Sequence, residues 1–115
     1  GDLEEFNDLV FMGVVTSDEL IRSRPELVRK VVGVFSEAQA ILLDPVRGKA
    51  VMAAEFPEME AVTNERSYDL LSQIWSKDGR MSLTGAKKVY DFLQPGGSKT
   101  IDFEKTFTND FLPGK

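Results

Sequence analysis

The chain of 115 residues contains no cysteine and no histidine. That excludes thiol nucleophiles, disulfides, zinc sites built on Cys or His, and imidazole acid–base catalysis. Basic charge is also short: 14 Lys and Arg stand against 19 Asp and Glu, a net charge of −5. The basic residues do not cluster, and phosphate binding needs a basic patch, so the balance weighs against nucleic acid. No segment approaches the ~20 apolar residues of a membrane span, and no secretory leader heads the sequence. The absence of cysteine fits an oxidising compartment, where stray thiols are a liability. An apolar content of 42% is ordinary for a globular domain, and the length allows one domain with one modest core.

What is present begins with residues 9–15, Leu-Val-Phe-Met-Gly-Val-Val. A short continuous apolar run of this kind suits a strand buried on both faces of a sheet. No second strand is evident to pair with it, and a lone central strand leaves two rows of backbone groups unmatched. The expectation is an α/β chain, mostly helical, with one central strand followed by about five helices. Residues 1–115 would then be a single partial domain whose missing strands lie in further polypeptide or in another copy.

The helices are marked by their ends. Ser17 caps a short helix with Asp18 and Glu19 in its first turn, and Pro25 ends it and opens the next. In that second helix Val28, Val31, Val32, Phe35, Ala38 and Leu42 form an apolar stripe, with Arg29, Lys30, Gly33, Glu37 and Ala40 opposite. Asp44 and Pro45 start a third helix with a small-residue face of Val46, Ala50, Ala53 and Ala54. A fourth starts at Thr63 or Asn64, burying Tyr68, Leu71, Ile74 and Trp75, and stops at Asp78-Gly79. A fifth follows Ser82 or Thr84 with Ala86, Val89, Tyr90 and Leu93 inward. Phe103, Phe107 and Phe111 read as an anchored tail with one helical turn after Asp102.

Chemistry is sparse. Glu4, Glu5 and Asp8, then Asp18 and Glu19, then Glu55, Glu58 and Glu60 form acidic groupings that helix starts and a Pro-containing loop explain better than catalysis. The Gly96-Gly97-Ser98-Lys99-Thr100 stretch lacks the strand, glycine spacing and helix of a phosphate loop. Trp75 reads as core, and Lys87-Lys88 as a solvated face. The expectation is no enzyme, no cofactor and no metal. In open α/β sheets ligands sit at the carboxyl ends of strands against helix N-termini. Thr16 and Ser17 occupy that place, with Asn7 at a crossover or hinge, so these three are the candidate ligand-binding residues. For Thr16 and Ser17 plain helix capping is the competing reading.

The order of these features resembles the C-terminal part of an ABC-transporter substrate-binding protein, of the group serving sulfonates, taurine, nitrate and thiamine precursors. The resemblance rests on Val14-Val15-Thr16-Ser17-Asp18-Glu19-Leu20, then Arg24-Pro25-Glu26-Leu27-Val28, the Ala38 to Leu42 helix end, Asp44-Pro45, Gly79, Gly85, and Asn109-Asp110-Phe111-Leu112. It implies two α/β lobes closing on a small anionic or heterocyclic solute, a periplasmic or extracellular membrane-anchored location, and a membrane permease as partner. This chain would supply only part of such a protein, in association with the rest of it or as a swapped homodimer. The alternative is an autonomous, mostly helical protein-interaction module. An enzyme of thiamine-precursor synthesis, reached by the same resemblance, is disfavoured because its chemistry depends on His and Cys.

Overall fold

The computed structural model describes residues 8–10, 12–97 and 99–114. They form five helices: α1 (Asp18–Ser23), α2 (Pro25–Leu43), α3 (Pro45–Glu55), α4 (Ala61–Ile74) and α5 (Leu83–Leu93). A 3-10 turn at Phe103–Lys105 follows. No strand occurs among the described residues, so the chain is all-helical and the expected α/β architecture with a central strand is incorrect. The physical reason is the one that made that strand conspicuous. A strand exists only when its N–H and C=O groups are paired, and among the described residues no other extended segment offers a ladder. Residues 12–15 instead run without regular structure, and among the described residues no backbone–backbone hydrogen bond involves them. Met12 and Val15 are 91% and 92% exposed.

Helix ends follow local chemistry. The Ser17 hydroxyl accepts from Leu20 N at 3.1 Å. Arg24, pushed out of the α region by Pro25, separates α1 from α2 with φ −139° and ψ 58°. Asp44 Oδ1 accepts from Val46 N and Arg47 N, both at 3.0 Å, and Pro45 sits where its missing N–H does no harm. The Ser82 hydroxyl accepts from Gly85 N at 2.9 Å and starts α5.

α1 packs on α2, α2 on α3 and α3 on α4, while α5 packs on the 3-10 turn; other pairs only graze. The result is a single layer of helices with α3 in the middle and a smaller cluster of α5 and tail beside it. The core is small. Val28, Met52 and Tyr68 are its buried apolar residues. Tyr68 holds it together: its ring lies against Gly48, and its hydroxyl donates to the Leu42 carbonyl at 2.7 Å, satisfying an orphan acceptor at the end of α2. Trp75 meets Tyr68 edge-on at 5.7 Å. Lys49 Nζ stands 5.7 Å from the ring centroid and 2.9 Å from Asp69 Oδ1.

Several expected faces are also corrected. α3 does not turn its small residues inward: Gly48 and Met52 are buried, Val46 is 81% exposed, and Ala50, Ala53 and Ala54 are exposed. Gly48 faces inward because only a residue without Cβ admits the Tyr68 ring. α4 begins at Ala61, after Glu60, rather than at Thr63 or Asn64. Of its expected stripe Tyr68 is buried and Trp75 half-buried, but Leu71 and Ile74 are exposed, because nothing packs beyond α4. It ends at Ile74, short of Asp78, although Gly79 does take a left-handed φ of +73°. Phe35 and Leu93 lie on expected inward stripes yet are exposed.

Gly48→Ala tests this packing. Alanine favours a helix over glycine by about 1 kcal/mol, but here its Cβ would overlap the Tyr68 ring and the Leu42 carbonyl. The expected result is a net loss of about 2 kcal/mol in urea unfolding, with Tyr68→Phe losing about 1 kcal/mol; a Gly48→Ala chain more stable than the parent contradicts the account. The Lys49–Asp69 contact has its own signature. The hydrogen bond to Asp69 holds the Lys49 ammonium above its ordinary value of 10.5. A folded-state value above the unfolded one stabilises at lower pH, and the contribution disappears as pH climbs through the raised value. Thermal melts should therefore fall more steeply above about pH 10.5 in the parent than in Lys49→Met.

Candidate interaction surface

Of the three candidate ligand residues, Thr16 and Ser17 are described. Asn7 lies outside the described residues. Ser17 uses its hydroxyl to cap α1, a helix of only six residues, and Thr16 is half-buried at the end of the exposed segment. Neither of the two best-formed grooves is lined by them. One, of about 580 Å³, is open and bordered by Gln39, Asp44, Lys77 and Asp78. The other, of about 380 Å³, runs along α5 between Val10, Met81, Val89, Tyr90 and Phe107. Both open broadly to solvent, unlike a site that encloses a small ligand. Among the described residues no group of three acidic side chains gathers as a metal site. No helix there is long and apolar enough to cross a membrane.

What the structure does build is a clasp between its two helical groups. The Asn109 side chain reads the main chain of Met81 in both directions: Met81 N donates to Oδ1 at 3.0 Å and Nδ2 donates to the Met81 carbonyl at 2.9 Å. Next to it, Arg29 of α2 donates to the Asp110 carbonyl at 3.2 Å and lies 5.3 Å over the Phe111 ring. Tyr90 meets Phe103 edge-on at 5.7 Å, pinning the tail to α5. The Gln39 amide donates to the Ser76 carbonyl and holds the α4–α5 connection to α2. Two points of the chain before α1 touch this region, Gly13 beside the Met81 methyl and the Asp8 carbonyl over Gly85.

The most extensive feature is apolar surface with nothing upon it. The accessible area is 9146 Å², against about 6,300 Å² for a compact monomer of this mass. The radius of gyration is 16.8 Å, against about 13 Å for a compact chain of this length. Val34, Phe35, Val46, Val62, Leu70 and Ile74 are each more than 60% exposed. A single helical layer has two faces, and a stable domain covers both. Sequence reasoning missed this surface because periodicity shows that a face is apolar without showing whether the chain has anything to place on it. One buried acceptor, Asn64 Oδ1, is also unsatisfied within the described residues.

No protein-family model matches the chain, and no curated protein and no solved structure matches it either.

Asn109→Ala removes both bonds to Met81 and leaves half-buried main-chain groups without partners. It should cost about 2 kcal/mol in urea unfolding and speed hydrogen exchange at Met81 and in the first turn of α5. Unchanged exchange there would show that the clasp holds nothing.

Proposed function

We propose that this chain is a non-enzymatic helical part of a larger assembly, its apolar faces covered by further polypeptide. One observation carries the reading: large apolar side chains on α2 and α4, Val34, Phe35, Val62, Leu70 and Ile74, are each more than 60% exposed. A chain made to act alone would bury Val34, Phe35, Leu70 and Ile74 within itself, since exposed apolar patches on this scale mark interaction surfaces.

The finer reading takes the assembly to be the extracytoplasmic solute-binding component of an ABC importer, which captures a small anionic or heterocyclic solute between two lobes and hands it to a membrane permease. Its support is the ordered resemblance from Val14 to Leu112 and the fit between an uncovered layer and a chain that supplies only part of such a protein. The sheet that would have placed Thr16 and Ser17 at a strand end is not formed by this chain, so that argument for their role falls. The all-helical architecture favours a second reading, an autonomous interaction module for a protein partner.

A dye that fluoresces on apolar surface tests the shared claim. The dilute chain should enhance it strongly, and a chain that leaves the dye dark refutes it. Thermal shift on the protein expressed from its natural reading frame separates the finer readings. With a panel of sulfonates, small anions and pyrimidines, a binding component should gain about 2.7 kcal/mol at a hundredfold excess over Kd, several degrees in Tm. A flat response across the panel rejects solute capture.

A further inference from the structure

The longest helix is apolar around more of its circumference than the chain can use. On α2, Val28, Val32, Gln39 and Leu43 turn toward the rest of the molecule and are buried or half-buried. Beyond that face Leu27, Val31, Val34, Ala38 and Ile41 follow one another at spacings of four, three, four and three residues. This is a heptad seam two repeats long, about 20 Å at 1.5 Å per residue. Its middle is uncovered and its ends are half-buried: Val34 is 65% exposed, Val31 39%, and Ala38 is exposed, with Phe35 at the margin 61% exposed, while Leu27 and Ile41 are half-buried. An amphipathic helix needs about 100° of apolar arc to face one core. Here a second arc of similar width stands beside the first.

The seam is self-complementary. Lys30 and Glu37 occupy the same flank, one heptad apart, and neither has an ion-pair partner among the described residues. Two α2 helices packed antiparallel about a two-fold axis beside Val32 and Gly33 set Val31 of one against Val34 of the other. Leu27 then meets the small Ala38, and Lys30 of each copy lies beside Glu37 of its mate. Opposite charges flank the seam twice, and large residues meet small ones across it. Parallel pairing would instead set Lys30 beside Phe35 of the mate and leave both charges without an opposite partner.

We infer that this second face of α2 is the contact for another copy of the same chain, in an antiparallel, two-fold-symmetric dimer. The inference rests on the reading that the exposed apolar surface is covered by polypeptide, and it names one occupant for one face. α4 and residues 12–15 remain for others. A hetero-partner covering α2 with the chain itself monomeric would sink the dimer and leave the broader reading standing.

Sedimentation equilibrium and chemical cross-linking decide it, using the chain's freedom from cysteine. The parent should be dimeric, and Val34→Glu should lower the association constant by more than about a hundredfold, with unchanged far-UV circular dichroism because the side chain is exposed in the monomer. Lys30→Glu should weaken association about tenfold and the double change Lys30→Glu/Glu37→Lys should restore it to within about threefold. Chains carrying Val31→Cys mixed with chains carrying Val34→Cys should give mainly the mixed disulfide on mild oxidation, whereas Val46→Cys chains should stay unlinked. A parent monomeric up to about 0.5 mM, a dimer indifferent to Val34→Glu, or linkage favouring position 46 overturns the inference.

Discussion

The three main helices, α2, α3 and α4, are arranged around one aromatic side chain resting on one glycine. Tyr68 of α4 lies on Gly48 of α3 and donates its hydroxyl to the last turn of α2, so a single residue fixes three consecutive helices. The contact fixes α4 close against α3, with the Trp75 ring and the Lys49 ammonium closing round the phenol. It does so in one layer. Beyond Val28, Met52 and Tyr68 there is little apolar material enclosed, and the apolar side chains of α2 and α4 that lie away from α3 point to water.

That economy explains the role of the tail. α5 has no helix of the main layer to lean on, and it is kept in place by Asn109 on the Met81 main chain and by Arg29 on Asp110 and Phe111. Such contacts are directional and few. They set orientation well and enclose little area, so the chain has a defined shape without the burial that normally secures one. Surface of this kind is what a covering partner would complete, and that is the link between the packing and the proposed interaction role.

Much of the helical framework was legible in the sequence because capping is local chemistry. Ser17, Asp44 and Ser82 each do what their side chains do beside a free helix end, Pro25 and Pro45 sit at first positions, and the single turn after Asp102 is present. What failed depended on distant partners. The apolar run before α1 has the pattern of a strand, but a ladder needs a second strand and none occurs among the described residues. The inward face of α3 was assigned to its alanines, whereas the decisive residue is a glycine whose value lies in what Tyr68, twenty positions on, needs from it. Candidate ligand residues Thr16 and Ser17 depended on the same sheet, and Ser17 proved to be occupied with its helix. The heptad spacing of Leu27, Val31, Val34, Ala38 and Ile41 was readable from the outset, yet it merges with the inward stripe beside it. Only the exposure of Val34 separates the two.

The central claim is that this chain, by itself, leaves a large part of its apolar surface in water. The heat-capacity change of unfolding measures that surface directly, because it scales with the apolar area newly exposed. For a self-contained domain of this length it is about 1.5 kcal/mol/K. Calorimetry on the chain at high dilution should give a value clearly below that, rising toward it as the covering polypeptide is restored. The full value from the isolated, dilute chain would mean that it already encloses an ordinary core, and the account would be wrong.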